Sequence, residues 1–455
     1  MASQTPPVPQ APMSFIDALN RSPMRTFQFV TVAICMLVLV CDGIDLQLLG
    51  IVAPLVMEDF GVDRSTFGIA MMTALIGFGI GSWGGGYLGD VIGRRYTLAI
   101  AALVFSLATI GAGGADGVWS MAFWRLIGGL GFGGAYANAL AMAGEWLSDR
   151  WRPVVVSTLS VGTPVGGTIV GWLGPDLAAA NGWGGAFVIF GLATMALVVV
   201  ILVGMRDSPS YLLSRGKIDQ ARRNAALVLD DQVELVAETH DTDGKDGKSI
   251  GVLHASNKRM NIGIGVAFAG AAMVAYSILS WSTTFLTAAG FTLDDAGEAV
   301  AIGGITSMIG SILVGLLIRR FGSRIVMICL SVSLVGLMIA LGLAVEALPA
   351  APDAGERLLV VSLIGASGAV FSASIAGMYV VMTAGYPQSC RSAGIGFGIF
   401  MSRVGAVAAT GLGGTLLQLG GQSVIPFFTV LTLSAILILA AAFVVDRHVP
   451  PLAQS

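Results

Sequence analysis

The sequence predicts an all-α polytopic membrane protein that crosses a bilayer twelve times, in two pseudo-symmetric sets of six helices. Three observations carry this. Of 455 residues, 55% are hydrophobic and only 11% charged, with a mean hydropathy of +0.84, where a soluble chain carries about 25% charged residues. Apolar runs recur along the chain, for example at 27–40, 98–112, 187–205, 325–345 and 425–445. Each is near the roughly 20 residues that a helix needs to cross the hydrocarbon core, and none alternates in polarity as a barrel strand does. Finally, one long hydrophilic stretch, 206–259, divides the runs into six and six.

Taken in order, residues 1–25 are polar and Pro-rich and form a tail, and the apolar run that follows is too long for a cleaved signal peptide. Spans are expected near 26–56, 64–89, 96–114, 117–147, 154–179 and 184–205, making a first bundle over 26–205. The central loop, 206–259, holds nine basic and nine acidic residues, including all four lysines. Within it Ser208 is placed to cap a short helix, and 217–229 has the pattern of an amphipathic one. Spans near 260–289, 297–318, 325–346, 357–386, 392–419 and 423–446 make a second bundle over 260–446, before a tail over 447–455.

The 24 Lys and Arg residues set the orientation. With the N-terminus inside, twenty fall in cytoplasmic segments, Arg64 and Arg357 fall outside, and Arg125 and Arg403 fall within spans. Both termini are therefore expected in the cytoplasm. Cys35, Cys41, Cys329 and Cys390 lack CxxC spacing and sit in or beside apolar segments, which reads as small apolar packing residues rather than a disulfide set or metal site. The net charge of −3 points to no nucleic-acid partner.

The two halves resemble each other. Residues 86–95 (Gly-Tyr-Leu-Gly-Asp-Val-Ile-Gly-Arg-Arg) follow the second span, and 315–324 (Gly-Leu-Leu-Ile-Arg-Arg-Phe-Gly-Ser-Arg) follow the eighth. Arg150 and Arg152 open the fifth span much as Arg391 opens the eleventh. Internal repetition of this kind marks secondary transporters, whose site lies between the halves near the midplane.

The 86–95 stretch resembles the loop signature of the major facilitator superfamily, and the six-plus-six layout agrees over the whole chain. The resemblance implies a gate latch between the halves at Gly86, Asp90 and Arg94, with Asp90 accepting from the N-terminus of a neighbouring helix. Arg319 stands where the second copy would carry an acid. Four further pieces are similar to the aromatic acid:proton symporter family: Asp42-Gly-Ile-Asp45, the run from Arg125 through Asn138 to Glu145, residues 386–403, and Tyr276-Ser-Ile-Leu-Ser-Trp281. Ile44 stands where that family's first motif commonly has Phe. Residues 207–213 (Asp-Ser-Pro-Ser-Tyr-Leu-Leu) resemble a motif shared with sugar porters.

An ionised side chain in a span costs roughly 2.5–3.5 kcal/mol on insertion scales, so such residues line a wet cavity or pair with one another. Five stand out: Asp42, Asp45, Arg125, Glu145 and Arg403. Asp42 and Asp45, three apart, share a helix face. Two close carboxylates resist double ionisation, so at least one is suited to carry a proton; the other reading makes one a permanent partner of Arg125. The three histidines all lie in cytoplasmic segments. Arg403 and Arg125 offer a planar fork to a substrate carboxylate, with structural pairing to Glu145 or a helix end as the alternative. Arg403 is the better candidate because Arg125 has more acids in its own half. Glu145 and Arg391 are expected at the cytoplasmic gate. Tyr136, Tyr276, Trp281 and Phe285 are candidate walls for an aromatic ring, followed by Phe397 and Phe400. Gly128, Gly129, Gly131, Gly133 and Gly134 are expected to allow close helix approach.

These readings converge on a secondary active transporter that imports small aromatic carboxylates of the benzoate, hydroxybenzoate or protocatechuate type with protons, by alternating access. The alternatives are a related porter for another organic acid or a sugar, or a drug efflux pump. No HExxH, nucleotide loop or His/Cys cluster is present, so neither an enzyme nor a cofactor or metal site is expected. The resemblance implies the inner membrane of a bacterium, and a monomer with substrate, protons and lipid as its partners.

Overall fold

A computed structural model of the chain describes residues 13–159, 161–229, 235–236, 254–349, 351–386 and 390–451. Much of the central segment lies outside that set. The chain begins with α1 (Phe15–Arg21), whose N-cap Ser14 accepts from the Asp17 amide at 3.1 Å. This helix falls in the stretch read as a plain tail. Its Phe15 and Leu19 are buried, and Phe15 meets the ring of Trp146 edge-on at 5.7 Å.

Then come α2 (Thr26–Ile51), α3 (Ala53–Phe60), α4 (Arg64–Ile92), α5 (Arg94–Gly113), α6 (Val118–Glu145), α7 (Arg152–Leu159) and α8 (Gly162–Gly204). The first span is shorter than expected. Pro54 sits in the first turn of α3, and with no N–H to donate it starts a helix better than it continues one. At 43 residues α8 would be about 65 Å long if straight, twice the hydrocarbon core. It is broken at Gly182, whose φ of 72° is open to glycine and strained for other residues.

The central segment supplies α9 (Pro209–Ser214), capped by Ser208 as expected, and α10 (Ile218–Ala225). After it follow α11 (Lys258–Ala288), α12 (Leu293–Phe321), α13 (Ser323–Glu346), α14 (Ala354–Gly385), α15 (Arg391–Gly420) and α16 (Ile425–Val444). Among the described residues eleven helical runs are long and apolar enough to cross a membrane. One of the eleven is α8, which the break at Gly182 divides in two.

Glycine sets how the helices cross. On α4 and α6, a Cβ on Gly77, Gly81 or Gly85 would run into the backbone of Leu126, Leu130 or Gly134, and one on Gly129 or Gly133 into Ala74 or Phe78. Gly131 serves α5 in the same way, lying 2.7 Å (measured from its missing Cβ) from Phe105 N. Contact without side chains brings two backbones together where hydrophobic burial offers little drive.

Helices before the central segment pack chiefly on one another, as do those after it. Across the two groups, α4 meets α15, α8 meets α12 and α2 meets α11. The glycines in these crossings, Gly50, Gly68, Gly171, Gly297, Gly304, Gly411 and Gly414, lie from mid-height toward the end carrying the turns at 61–63, 289–292 and 421–424. We call this the distal end, and the end carrying α1, α9 and α10 the proximal end.

At the proximal end two equivalent turns are tied down. Gly93 (φ 100°) follows α4, and Gly322 (φ 80°) follows α12. The first is held by the chain leaving α8: the Asp207 carboxylate accepts from Arg95 N at 3.0 Å, and Tyr211 donates to Val91 O at 3.1 Å. The second is held by the chain leaving α16. Ser323 N donates to Val449 O at 2.9 Å, Val449 N donates back to Ser323 Oγ at 2.8 Å, and His448 Nδ1 sits 3.1 Å from that hydroxyl. Burial lowers the His448 pKa, keeping the ring neutral and Nδ1 able to accept.

Substituting Gly133→Val will force the α4–α6 crossing apart and destabilise the fold by about 1–3 kcal/mol, seen as a lower melting temperature in detergent. Gly336→Ala, where an added Cβ meets no atom within 4 Å, will leave melting unchanged or raised.

Candidate functional site

The membrane charges sort into pairs with different partners. Asp45 and Arg125, both largely buried, form an ion pair with Oδ2 and Nη1 2.5 Å apart. Arg125 Nη2 also donates to the Asp45 carbonyl at 3.2 Å, and Thr109 Oγ1 lies 3.0 Å from Asp45 Oδ1. One carboxylate thus ties α2 to α5 and α6. Asp42, one turn earlier on the same face and 5% exposed, accepts from Thr163 Oγ1 at 2.9 Å and has no cation within 4 Å among the described residues.

Arg403 on α15 donates through Nη1 to the Tyr276 hydroxyl at 2.9 Å. Its guanidinium lies over the ring of Phe78, 3.9 Å from the centroid, well within cation–π range. That contact crosses between the two helix groups. Tyr136, Tyr379 and Asp42 all lie within its electrostatic reach, and its Nε has no hydrogen-bond partner among the described residues. Phe78 itself touches Tyr136 at 5.6 Å and Phe132 at 5.1 Å, so an aromatic shell extends behind the guanidinium.

Of the ring walls expected from the sequence, the structure brings Tyr276 and Tyr136 to Arg403. Trp281 and Phe285 lie elsewhere. Trp281 is fully buried on Gly413 and Gly414 of α15, and Phe285 packs with Phe427 and Phe428 at 5.9 and 5.5 Å. Both fill interhelical space within the second group. Phe78, Tyr379, Thr109 and Thr163 complete the surroundings of the buried charges, and none was singled out from the sequence. A Phe or Thr in an apolar run carries no mark of the direction it faces.

At the proximal end Arg94 joins two acids, Asp90 Oδ1 at 2.7 Å and Glu145 Oε1 at 2.5 Å. The expected gate residues Asp90, Arg94 and Glu145 are therefore together. Their partners differ from the expectation that Asp90 serves a neighbouring helix N-terminus. Arg94, four residues on, takes the Asp90 carboxylate, and the start of α5 is served by Asp207 instead. The whole cluster lies within the first helix group. Arg215 adds a bond from its guanidinium to Asp90 O at 2.7 Å, so the 207–213 motif and its neighbour dock on the 86–95 loop. Gly86 faces open space, and Arg391 opens α15 with its side chain outside the described residues.

A broken-helix membrane bundle with a few paired charges at mid-depth and a charged loop at one end defines a class of secondary transporter. The family model described as "Major Facilitator Superfamily" matches residues 35–351, and the chain belongs to that superfamily: it is a multi-pass membrane transporter and not an enzyme. Among curated relatives, it is 26% identical to the 4-hydroxybenzoate transporter PcaK of Pseudomonas aeruginosa, over 88% of this chain and 89% of that protein. It is also 26% identical to the gallate transporter of Pseudomonas putida, over 91% of each, and 23% identical to the benzoate transport protein of Acinetobacter baylyi, over 88% and 86%. A crystal structure of a D-xylose–proton symporter superposes with a TM-score of 0.74 at 16% identity, covering 93% of this chain and 98% of that one, which speaks to fold alone.

Removing one member of a buried ion pair leaves the other uncompensated and costs about 3–5 kcal/mol. Asp45→Asn will therefore melt well below the parent protein, and adding Arg125→Gln will recover part of the loss. A double-mutant cycle of melting temperatures measures the coupling.

Proposed function

We propose that the protein imports small aromatic carboxylates together with protons by alternating access, binding the carboxylate at Arg403 and the proton at Asp42. The observation that carries this is the arrangement at Arg403, whose guanidinium is stacked on Phe78, bonded to Tyr276 and within reach of Asp42, with no carboxylate within 4 Å among the described residues. A planar fork beside an aromatic shell suits an anion whose charge is carried on a flat ring. The names of the relatives, which include 4-hydroxybenzoate, gallate and benzoate transporters, favour the same class.

Of the paired carboxylates, Asp45 is the structural one in this reading, because Arg125 and Thr109 hold it. Asp42 has a hydroxyl as its partner and faces the substrate arginine, so proton uptake there can respond to whether Arg403 is occupied. Its proximity to Arg403 also couples the two events. When a substrate carboxylate pairs with Arg403, the charge that Asp42 faces changes with it. One proton with one monoanion moves no net charge, and the pH gradient then drives uptake.

The movement we infer takes residues 26–205 and 260–446 as the two rocking bodies, around a site between them. The distribution of Lys and Arg supports placing both termini in the cytoplasm, so the distal end faces outward. The family of the relatives supports a bacterial inner membrane, and we take the working unit to be a monomer. Distal glycine crossings and a proximal end without an ion pair between the groups, among the described residues, suit a state closed to the outside.

In liposomes with an inward proton gradient, benzoate-type acids will accumulate, and an uncoupler will abolish the accumulation. Asp42→Asn will lose gradient-driven uptake while retaining exchange of labelled for unlabelled substrate. Uptake of an aliphatic acid or a sugar in place of any aromatic acid would leave the fold standing and sink the substrate assignment. Arg403→Gln, which removes a charged hydrogen-bond donor of about 1.5–3 kcal/mol, will weaken binding about 10- to 100-fold by calorimetry in detergent.

A further inference from the structure

Two basic residues, Arg64 and Arg357, stand on the otherwise Lys- and Arg-poor distal side. Arg357 is accounted for within the second helix group: it pairs with Asp295 at 2.7 Å and lies over Phe291. Arg64 does something different. It is the first residue of α4, half-buried, and has no carboxylate within 4 Å among the described residues. The adjacent acid, Asp63, is already engaged as the N-cap of α4, accepting from Thr66 N at 2.7 Å and from Ser65 Oγ at 2.9 Å.

The Arg64 guanidinium instead reaches the other helix group. Its Nη1 lies 3.4 Å from both Leu417 O and Gly421 O, at the last turn of α15. Those distances are long for a full hydrogen bond, but two carbonyls converge on one cation. The C-terminal carbonyls of a helix lack intrahelical partners and carry the negative end of its dipole. The backbone of the same residue also touches α15, since its carbonyl abuts Gly414. Four residues further into the membrane, a Cβ on Gly68 would lie 2.8 Å from Gly411 O. Among the described residues Arg64 is the one charged side chain at the distal end that bonds across the two groups.

We propose that Arg64 is the outer gate latch, a cation on the first group that caps the C-terminus of α15 and holds the distal end shut. In front of it lies a cleft of about 410 Å³, lined by Glu58, Asp63, Gln418 and Gly421 among others. When α15 swings away, this cleft gives the guanidinium water and the Glu58 carboxylate in exchange for the helix end, so the latch releases without stranding its charge. The inner cluster of Asp90, Arg94 and Glu145 lies within one group, so charge plays a different part at the two ends. This inference rests on the alternating-access reading and is independent of which substrate is carried.

The test reads shape in place of uptake. In full-length protein in nanodiscs, with Cys35, Cys41, Cys329 and Cys390 replaced, spin labels are placed through Asp116→Cys on the first group and Asp294→Cys on the second. Distances are measured without substrate. Arg64→Gln will raise the population with a wide distal separation about two- to fivefold, the size expected for losing a surface cation at a helix end. Arg64→Lys, which keeps the charge, will stay near the parent distribution. An unchanged distribution in Arg64→Gln overturns the proposal. So does equal opening in Arg64→Lys, which would assign the effect to side-chain packing. Should Arg64→Gln not fold, Arg64→Met is read against the same two outcomes. A failed aromatic-uptake assay leaves these distances interpretable, so the two readings fail separately.

Discussion

Asp45 and Arg125 are held 2.5 Å apart inside the first six spans, where both are largely buried. The pair fixes α2 against α6, with Thr109 bringing in α5. Much of the functional layout follows from it. Five ionisable residues had been expected at membrane depth, and Asp45–Arg125 and Glu145–Arg94 take three of them. What is left is Asp42 on one helix group and Arg403 on the other, each served by hydroxyls or rings. In the proposed cycle these two groups take the substrate anion and the proton. The permanent pair thus defines the transient one by exclusion.

Periodicity placed Asp42 and Asp45 on one face of α2 but left open which of them Arg125 would choose. That choice depends on the azimuth of α6 and on a threonine from α5, neither of which a one-dimensional pattern contains. The spans themselves were legible because bilayer thickness imposes a length, and the glycines of α6 because a bare backbone has few other uses in a membrane helix. Aromatic residues were read less well. Trp281 and Phe285 sit in the same apolar run as Tyr276, yet a rotation of about 100° per residue turns them into interhelical packing. The helix α1 was hidden for another reason: seven residues beside a Pro-rich stretch give too short a pattern to register, and its partner Trp146 lies 131 residues further on than Phe15.

The two ends of the molecule use different chemistry to hold helices together. Distally, glycine lets backbones touch across the groups, so contact area is large and directional bonds are few. Proximally, charged side chains tie the 86–95 loop to α6 and to the chain leaving α8, all on one side of the divide. Smooth glycine faces separate and rejoin without breaking a network, whereas charged loops hold a body rigid while it tilts. Each kind of contact therefore suits the rocking motion proposed above.

The turns at Gly93 and Gly322 are equivalent in position, yet they are anchored by unlike means. A carboxylate and a tyrosine secure the first; reciprocal main-chain bonding with one serine and one histidine secures the second. The second anchor depends on the Ser323 hydroxyl and the His448 ring beside one peptide-to-peptide bond, so it tolerates change elsewhere in the loop but not at those two positions. The same anchor makes His448, Val449 and Pro451 part of the architecture, so a fusion at the C-terminus needs a spacer beyond Pro451 to leave it intact.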